Sequence, residues 1–127
     1  MQTLLLVGLG GAFGAICRYL LGVRALRAFG PGFPYGTLGA NVIGGLLMGV
    51  LVGVLALRGG PDQERWRLLL GVGGLGGFTT FSAFSLETAL MIERRTYGLA
   101  AAYSLASVVV SIAALFAGLV LMRRLLA

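Results

Sequence analysis

Histidine and lysine are missing from this chain, cysteine occurs once, and only four acidic residues stand against ten basic ones. Without histidine there is no imidazole general base, and the lone Cys17 has no base beside it to activate a thiolate. A single cysteine cannot form an internal disulfide, and no Cys/His metal cluster is possible. By spacing, the acids Asp62, Glu64, Glu87 and Glu93 form no close pair suited to general acid and base roles. An enzyme is therefore not expected. Charge is scarce too: 11% of residues carry it, where a soluble domain has about a quarter.

What fills the chain is apolar. Hydrophobic residues make up 58%, and the mean hydropathy is +0.98. Four apolar segments are each long enough to cross a bilayer, which takes roughly 20 helical residues. They run over about 3–21, with room for helix to continue to Ala28, then 35–57, 66–92 and 97–122. The links are short: Gly30-Pro-Gly-Phe-Pro34 is a rigid turn, 58–65 a polar hairpin, and Glu93-Arg-Arg95 the last connection. The expectation is one all-α integral membrane domain over 1–127, with no room for a soluble domain and no internal repeat. Met1-Gln-Thr3 lacks a basic run, so the first segment reads as a span and not a cleaved leader. Cys17, inside that span, reads as a small packing residue.

The net charge of +6 does not suggest nucleic acid, because the arginines sit at span ends where they meet headgroups. Four spans put Arg58, Arg65, Arg67, Arg123 and Arg124 on one face and Arg24, Arg27, Arg94 and Arg95 on the other. That balance barely orients the chain. Either a small excess decides, or copies insert both ways and pair antiparallel, imitating the inverted repeats of transporters. The second reading is favoured.

The most unusual stretch is Gly71-Val-Gly-Gly-Leu-Gly-Gly-Phe-Thr-Thr-Phe-Ser-Ala-Phe-Ser-Leu-Glu87, inside the third span. Gly71, Gly73 and Gly76 match G-x-G-x-x-G, but that fingerprint needs a soluble βαβ unit, and apolar sequence continues on both sides. Glycines this dense, followed by hydroxyls, point instead to a helix broken near the midplane whose freed backbone groups serve a site. Gly10 and Gly14, and Gly45, Gly49 and Gly53, recur at four-residue spacing and read as grooves for close helix packing.

Several side chains stand out as site candidates. Asn41, four residues before Gly45, has an amide that either bonds a neighbouring helix or lines a wet path. Phe81 and Phe84 are three apart, with Ser82 and Ser85 rotated by one residue. Aromatics at that spacing are usually core, yet their polar company suggests ring edges, which carry partial positive charge, meeting a small anion. Tyr103, Ser107 and Ser111 form one stripe; such serines often bond the preceding turn, but three hydroxyls in register read as a hydrogen-bonding track. Glu87 lies on that track or near its outer mouth. Arg18 either snorkels to the interface or draws anions into a vestibule.

Gly-Gly-Ala-Phe-Gly-Ala-Ile-Cys-Arg-Tyr (10–19), Gly-Thr-Leu-Gly-Ala-Asn-Val-Ile-Gly (36–44) and Gly-Gly-Phe-Thr-Thr-Phe-Ser-Ala-Phe-Ser-Leu-Glu (76–87) strongly resemble the CrcB/Fluc family of fluoride channels, over nearly the whole chain. The resemblance implies a dual-topology homodimer of antiparallel four-helix subunits in a bacterial or archaeal inner membrane. It implies two fluoride pathways per dimer, a central structural sodium ion and passive export of toxic fluoride. On that basis Phe81 and Phe84 resemble the rings that contact fluoride, and Asn41 the pore asparagine. Gly76 and Thr79 resemble the residues whose backbone carbonyls hold sodium. Ser82, Ser85, Tyr103, Ser107 and Ser111 resemble track or pore-lining positions, Glu87 the acid at the track's end, and Arg18 the vestibule's basic residue. Ala83 departs from the pattern, since related sequences commonly carry threonine there. The competing readings are a proton-coupled small multidrug exporter and a non-transporting structural membrane protein. The first needs a carboxylate in the first span, which holds only Arg18 as a charge. The second leaves the Thr-Thr-Phe-Ser-x-Phe-Ser cluster unexplained.

Overall fold

The structure, a computed structural model, describes residues 1–126. Among these the fold is all-helical, and four helical paths are long and apolar enough to cross a membrane: Gln2–Phe29, Tyr35–Arg58, Gln63–Glu93 and Tyr97–Leu126. The first is helix α1 and the second α2. The third is subdivided into α3 (Gln63–Trp66), a π-helical stretch (Arg67–Leu75), α4 (Gly76–Phe78) and α5 (Ser82–Glu93); the fourth is α6 (Tyr97–Leu126).

Helix ends follow backbone chemistry and not hydropathy. Helix α1 runs past Leu21, where hydropathy falls, because Arg24, Ala25, Leu26 and Arg27 are good helix formers. It stops at Gly30, whose φ of 78° lies in the left-handed region that favours glycine, and Pro31 follows. Helix α2 opens directly after Pro34. The polar hairpin is shorter than 58–65, since the chain is helical again from Gln63. At the α5–α6 link Arg95 takes a positive φ of 61°, and the Thr96 N–H and Oγ1 both donate to the Met91 carbonyl at 2.9 Å.

Two close helix pairings are built on glycine. Helix α2 makes its most extensive contacts with α6. A Cβ at Gly45 would stand 2.6 Å from the Ser111 carbonyl oxygen, and one at Gly118 would stand 2.5 Å from that of Leu46. The π stretch and α4 lie against α1 in the same way: a Cβ at Gly77 would stand 2.6 Å from the Gly11 carbonyl. In an apolar solvent no hydrophobic effect drives helices together, so close backbone approach and dispersion must do so. The wider π turn fits here because Gly71, Gly73 and Gly74 present no side chains to obstruct it.

Large apolar side chains point outward: Leu4, Leu9, Phe13, Val109 and Phe116 are exposed. The interior is small: Ala40 and Leu55 are buried, and one cluster is formed by Met91, Ala100 and the fully buried Tyr103, with Phe33, Leu38, Phe84 and Leu99 against them. This inverts a soluble fold and suits a chain surrounded by lipid.

Gly118→Leu is expected to destabilise the protein by about 3 kcal/mol, the upper end for overpacking, because backbone of α2 and not a movable side chain stands in the way. Gly8→Ala, with nothing within 4 Å, should change stability by about 1 kcal/mol or less. Thermal unfolding in detergent measures both, and equal unfolding temperatures would mean that the α2–α6 contact is looser than described.

Candidate functional site

The interruption of the third path creates the site. After Phe78 the backbone leaves the helix, with Thr79 extended at φ −83° and ψ 158°, and it resumes at Ser82. In a regular α-helix the Thr80 N–H would donate to the Gly76 carbonyl, four residues back. Here it donates to Asn41 Oδ1 at 2.8 Å, while Asn41 Nδ2 donates to the Thr80 carbonyl at 3.0 Å. The Ala83 N–H, whose regular partner would be the Thr79 carbonyl, donates to Thr80 Oγ1 at 3.1 Å. That hydroxyl acts as a cap for the new helix. Asn41 therefore both bonds a neighbouring element and lines a cavity.

A cleft of about 380 Å³ opens beside this point, lined by Asn41, Gly76, Thr79, Thr80, Phe81, Phe84, Ser107, Val108 and Ser111. No lining residue is ionisable. The Phe81 and Phe84 rings lie 5.6 Å apart between centroids and tilted by 49°. Phe81 precedes α5, and its side chain is 78% exposed on the single chain. Ser107 Oγ and Ser111 Oγ are buried and have no hydrogen-bond partner among the described residues. Neither therefore bonds the preceding turn, and a buried hydroxyl without a partner is costly.

The candidates do not all converge. Asn41, Phe81, Phe84, Ser107 and Ser111 share the cleft with Gly76 and Thr79. Ser82 and Ser85 are exposed and do not line it; Ser82 Oγ lies 3.2 Å from Thr80 Oγ1, and Ser85 Oγ donates to the Phe81 carbonyl at 2.9 Å. Tyr103 lies behind the cleft, its ring 5.2 Å from that of Phe84, and its hydroxyl donates to Glu87 Oε1 at 3.4 Å. Glu87 lines a separate cavity of about 190 Å³ with Phe33, Pro34, Tyr35 and Thr37. Arg18 is apart from both, its Nε donating to the Gly77 carbonyl at 3.4 Å.

Two participants escaped the sequence reading. Thr80 is the hub of the interruption, and a Thr just before a resumed helix was a capping signal that could have marked it. Phe33, in the first turn, meets Tyr103 edge-on at 5.3 Å and 85°, and nothing in the local sequence marks so distant a contact. The aromatic series thus continues from Phe81 through Phe84 and Tyr103 to Phe33.

Chemically, the cleft offers neutral dipoles, the two partnerless hydroxyls of Ser107 and Ser111, and ring edges. It holds no nucleophile paired with a base, and among the described residues no three His, Cys, Asp or Glu side chains gather to bind a metal. Such a lining can replace part of a small ion's water shell without binding it as a full opposite charge would.

Comparison with known proteins agrees in scale and extent. A protein of Phenylobacterium zucineum (strain HLK1) bearing the name fluoride-specific ion channel FluC is 72% identical over 127 residues, covering 100% of both chains. Proteins of the same name from Caulobacter sp. (strain K31) and Caulobacter vibrioides (strain NA1000 / CB15N) are 64% identical over 125 residues and 61% identical over 127. They cover 98% and 100% of this chain, and the same shares of their own. The family described as CrcB-like protein, Camphor Resistance (CrcB), matches residues 5–119. With that match spanning most of its length, the chain belongs to the CrcB family.

Proposed function

We propose that this protein is a fluoride-selective channel that lets the ion leave a bacterial cell passively across the inner membrane and so lowers fluoride toxicity. The observation that carries the reading is the uncharged cleft where the Phe81 and Phe84 rings meet the two partnerless hydroxyls of Ser107 and Ser111. Hydroxyls donate to an anion that sheds water, and ring edges add weak positive charge without trapping it. The names of the relatives support fluoride as that anion. Asn41 lines the path, Tyr103 backs it, and Glu87 and Arg18 stand at its approaches. Ser82 and Ser85 have their hydroxyls engaged locally and contribute least. Ala83 brings no hydroxyl to the track.

The working unit in this reading is an antiparallel homodimer of dual topology with two anion pathways. The exposure of Phe81 on the single chain and the near-even arginines on the two faces favour it. The interruption at Thr79–Phe81 is then a break in the third membrane-crossing helix near the bilayer midplane, and the breaks of two subunits meet on the two-fold axis. A structural sodium ion fits there. Hard cations take oxygen ligands, and the regular helical donors of the Gly76 and Thr79 carbonyls are directed to side chains. When bound, the ion ties the subunits together.

The test is fluoride efflux from proteoliposomes, read with a fluoride electrode, with chloride in parallel. Rapid fluoride loss once potassium can move, without chloride loss, is expected; no fluoride loss from folded protein would sink the reading. Phe81→Ile should cut fluoride flux by about 2- to 12-fold, since an aliphatic group has no positive edge and an aromatic contact is worth about 0.5–1.5 kcal/mol. The dimer should stay intact, and normal selective flux in that variant would remove the ring-edge contribution. Adding two arginines to one face should force a single orientation and abolish flux when the variant is expressed alone. Full activity in such a variant would falsify the antiparallel dimer.

A further inference from the structure

We infer that Asn41 and Thr80 are positioning residues for the cation: by taking two backbone N–H groups out of the helix, they hold the Gly76 and Thr79 carbonyls free to act as ligands. The inference rests on the sodium site proposed above and names what builds it.

Helix register links these donors to the ligands. In an α-helix each N–H donates to the carbonyl four residues back. Of the four N–H groups that span the interruption, residues 80–83, those of Thr80 and Ala83 end on side chains, and their regular acceptors are Gly76 and Thr79. These are the two residues whose carbonyls the cation reading requires. Both diversions end on side chains, Asn41 Oδ1 at 2.8 Å and Thr80 Oγ1 at 3.1 Å. The Gly77 carbonyl lies between the two and accepts from Arg18 Nε at 3.4 Å, so it is engaged by a different partner.

The Asn41 contact is two-pointed. Its Nδ2 holds the Thr80 carbonyl at 3.0 Å while Oδ1 holds the Thr80 N–H, so the amide fixes both ends of that residue's backbone. Thr80 then passes the constraint on, because its hydroxyl caps the segment that resumes at Ser82. In surroundings without water a released N–H must find an acceptor. With the Asn41 amide or the Thr80 hydroxyl gone, the acceptor four residues back is the remaining one in register. The carbonyl then turns toward its helical donor and away from the ion. Asn41 lines the cleft with Phe81 and Ser111, so one side chain serves the anion path and the cation site at once.

The experiment measures the unfolding temperature of the purified protein in detergent. Sodium chloride is titrated against N-methylglucamine chloride at constant ionic strength. Wild type should gain stability with sodium and saturate, because a ligand that binds only the folded state stabilises it by mass action. Asn41→Leu and Thr80→Val should each raise the half-saturating sodium concentration by about tenfold or more, the scale of one buried group losing its partner. Thr80→Ser, which keeps the hydroxyl, should respond as wild type does. A merely structural role would lower the unfolding temperature at every sodium concentration without moving that midpoint. Where Asn41→Leu yields no folded protein, the Thr80→Val and Thr80→Ser pair decides. A wild-type response reproduced unchanged in Thr80→Val overturns this inference alone. A wild-type unfolding temperature indifferent to sodium overturns the cation reading and this inference together.

Discussion

A peptide N–H that leaves a helix in apolar surroundings has to find another acceptor, and at Thr80 it finds the side-chain amide of Asn41. Much of the site depends on that exchange. It lets the third path stop at Phe78 and resume at Ser82 without an orphaned donor at Thr80. It turns Phe81 out beside Phe84 at the mouth of the cleft. It also fixes α2 to the interruption, since Asn41 of α2 and Thr80 between α4 and α5 are held by the same pair of hydrogen bonds.

The glycines make this exchange geometrically possible. Asn41 reaches Thr80 only because α2 lies close to the interruption, with Gly44 facing the Thr79 side chain. Gly45 and Gly118 bring α2 and α6 together, which sets Ser107 and Ser111 opposite Asn41. Gly77 and Gly11 allow the π stretch and α4 to press against α1. Packing and function are therefore not separate uses of glycine in this chain. Contacts between backbones position a polar lining that would otherwise be too far apart to act on one ion.

The lining itself is a compromise between solvation and release. Two buried hydroxyls without partners are a standing cost to the fold. The proposed channel accounts for that cost, since an ion in transit supplies the missing acceptor. An arginine among these groups would bind an anion more firmly and slow its departure; Arg18 is instead bonded to the Gly77 carbonyl. Glu87 does not line this cleft and bonds Tyr103 on the far side of the aromatic series.

Membrane class, the four apolar segments, the glycine faces and most of the cleft-lining side chains were legible in the sequence, because hydropathy and four-residue spacing depend only on local composition and helix period. The resemblance of three ordered stretches to one family was legible for the same reason: it is carried by residue identity. Spacing could not say which serines matter. Ser85 bonds its own turn while Ser107 and Ser111 do not, although all three recur at helical intervals. Nor could it mark Thr80 as the hub, extend the aromatic series to Phe33, or set Glu87 in a second cavity. Periodicity tells which face of a helix a residue occupies, but not which neighbour lies opposite or at what depth. Those are decided by how closely the helices approach, and here glycines far apart in the chain set that approach.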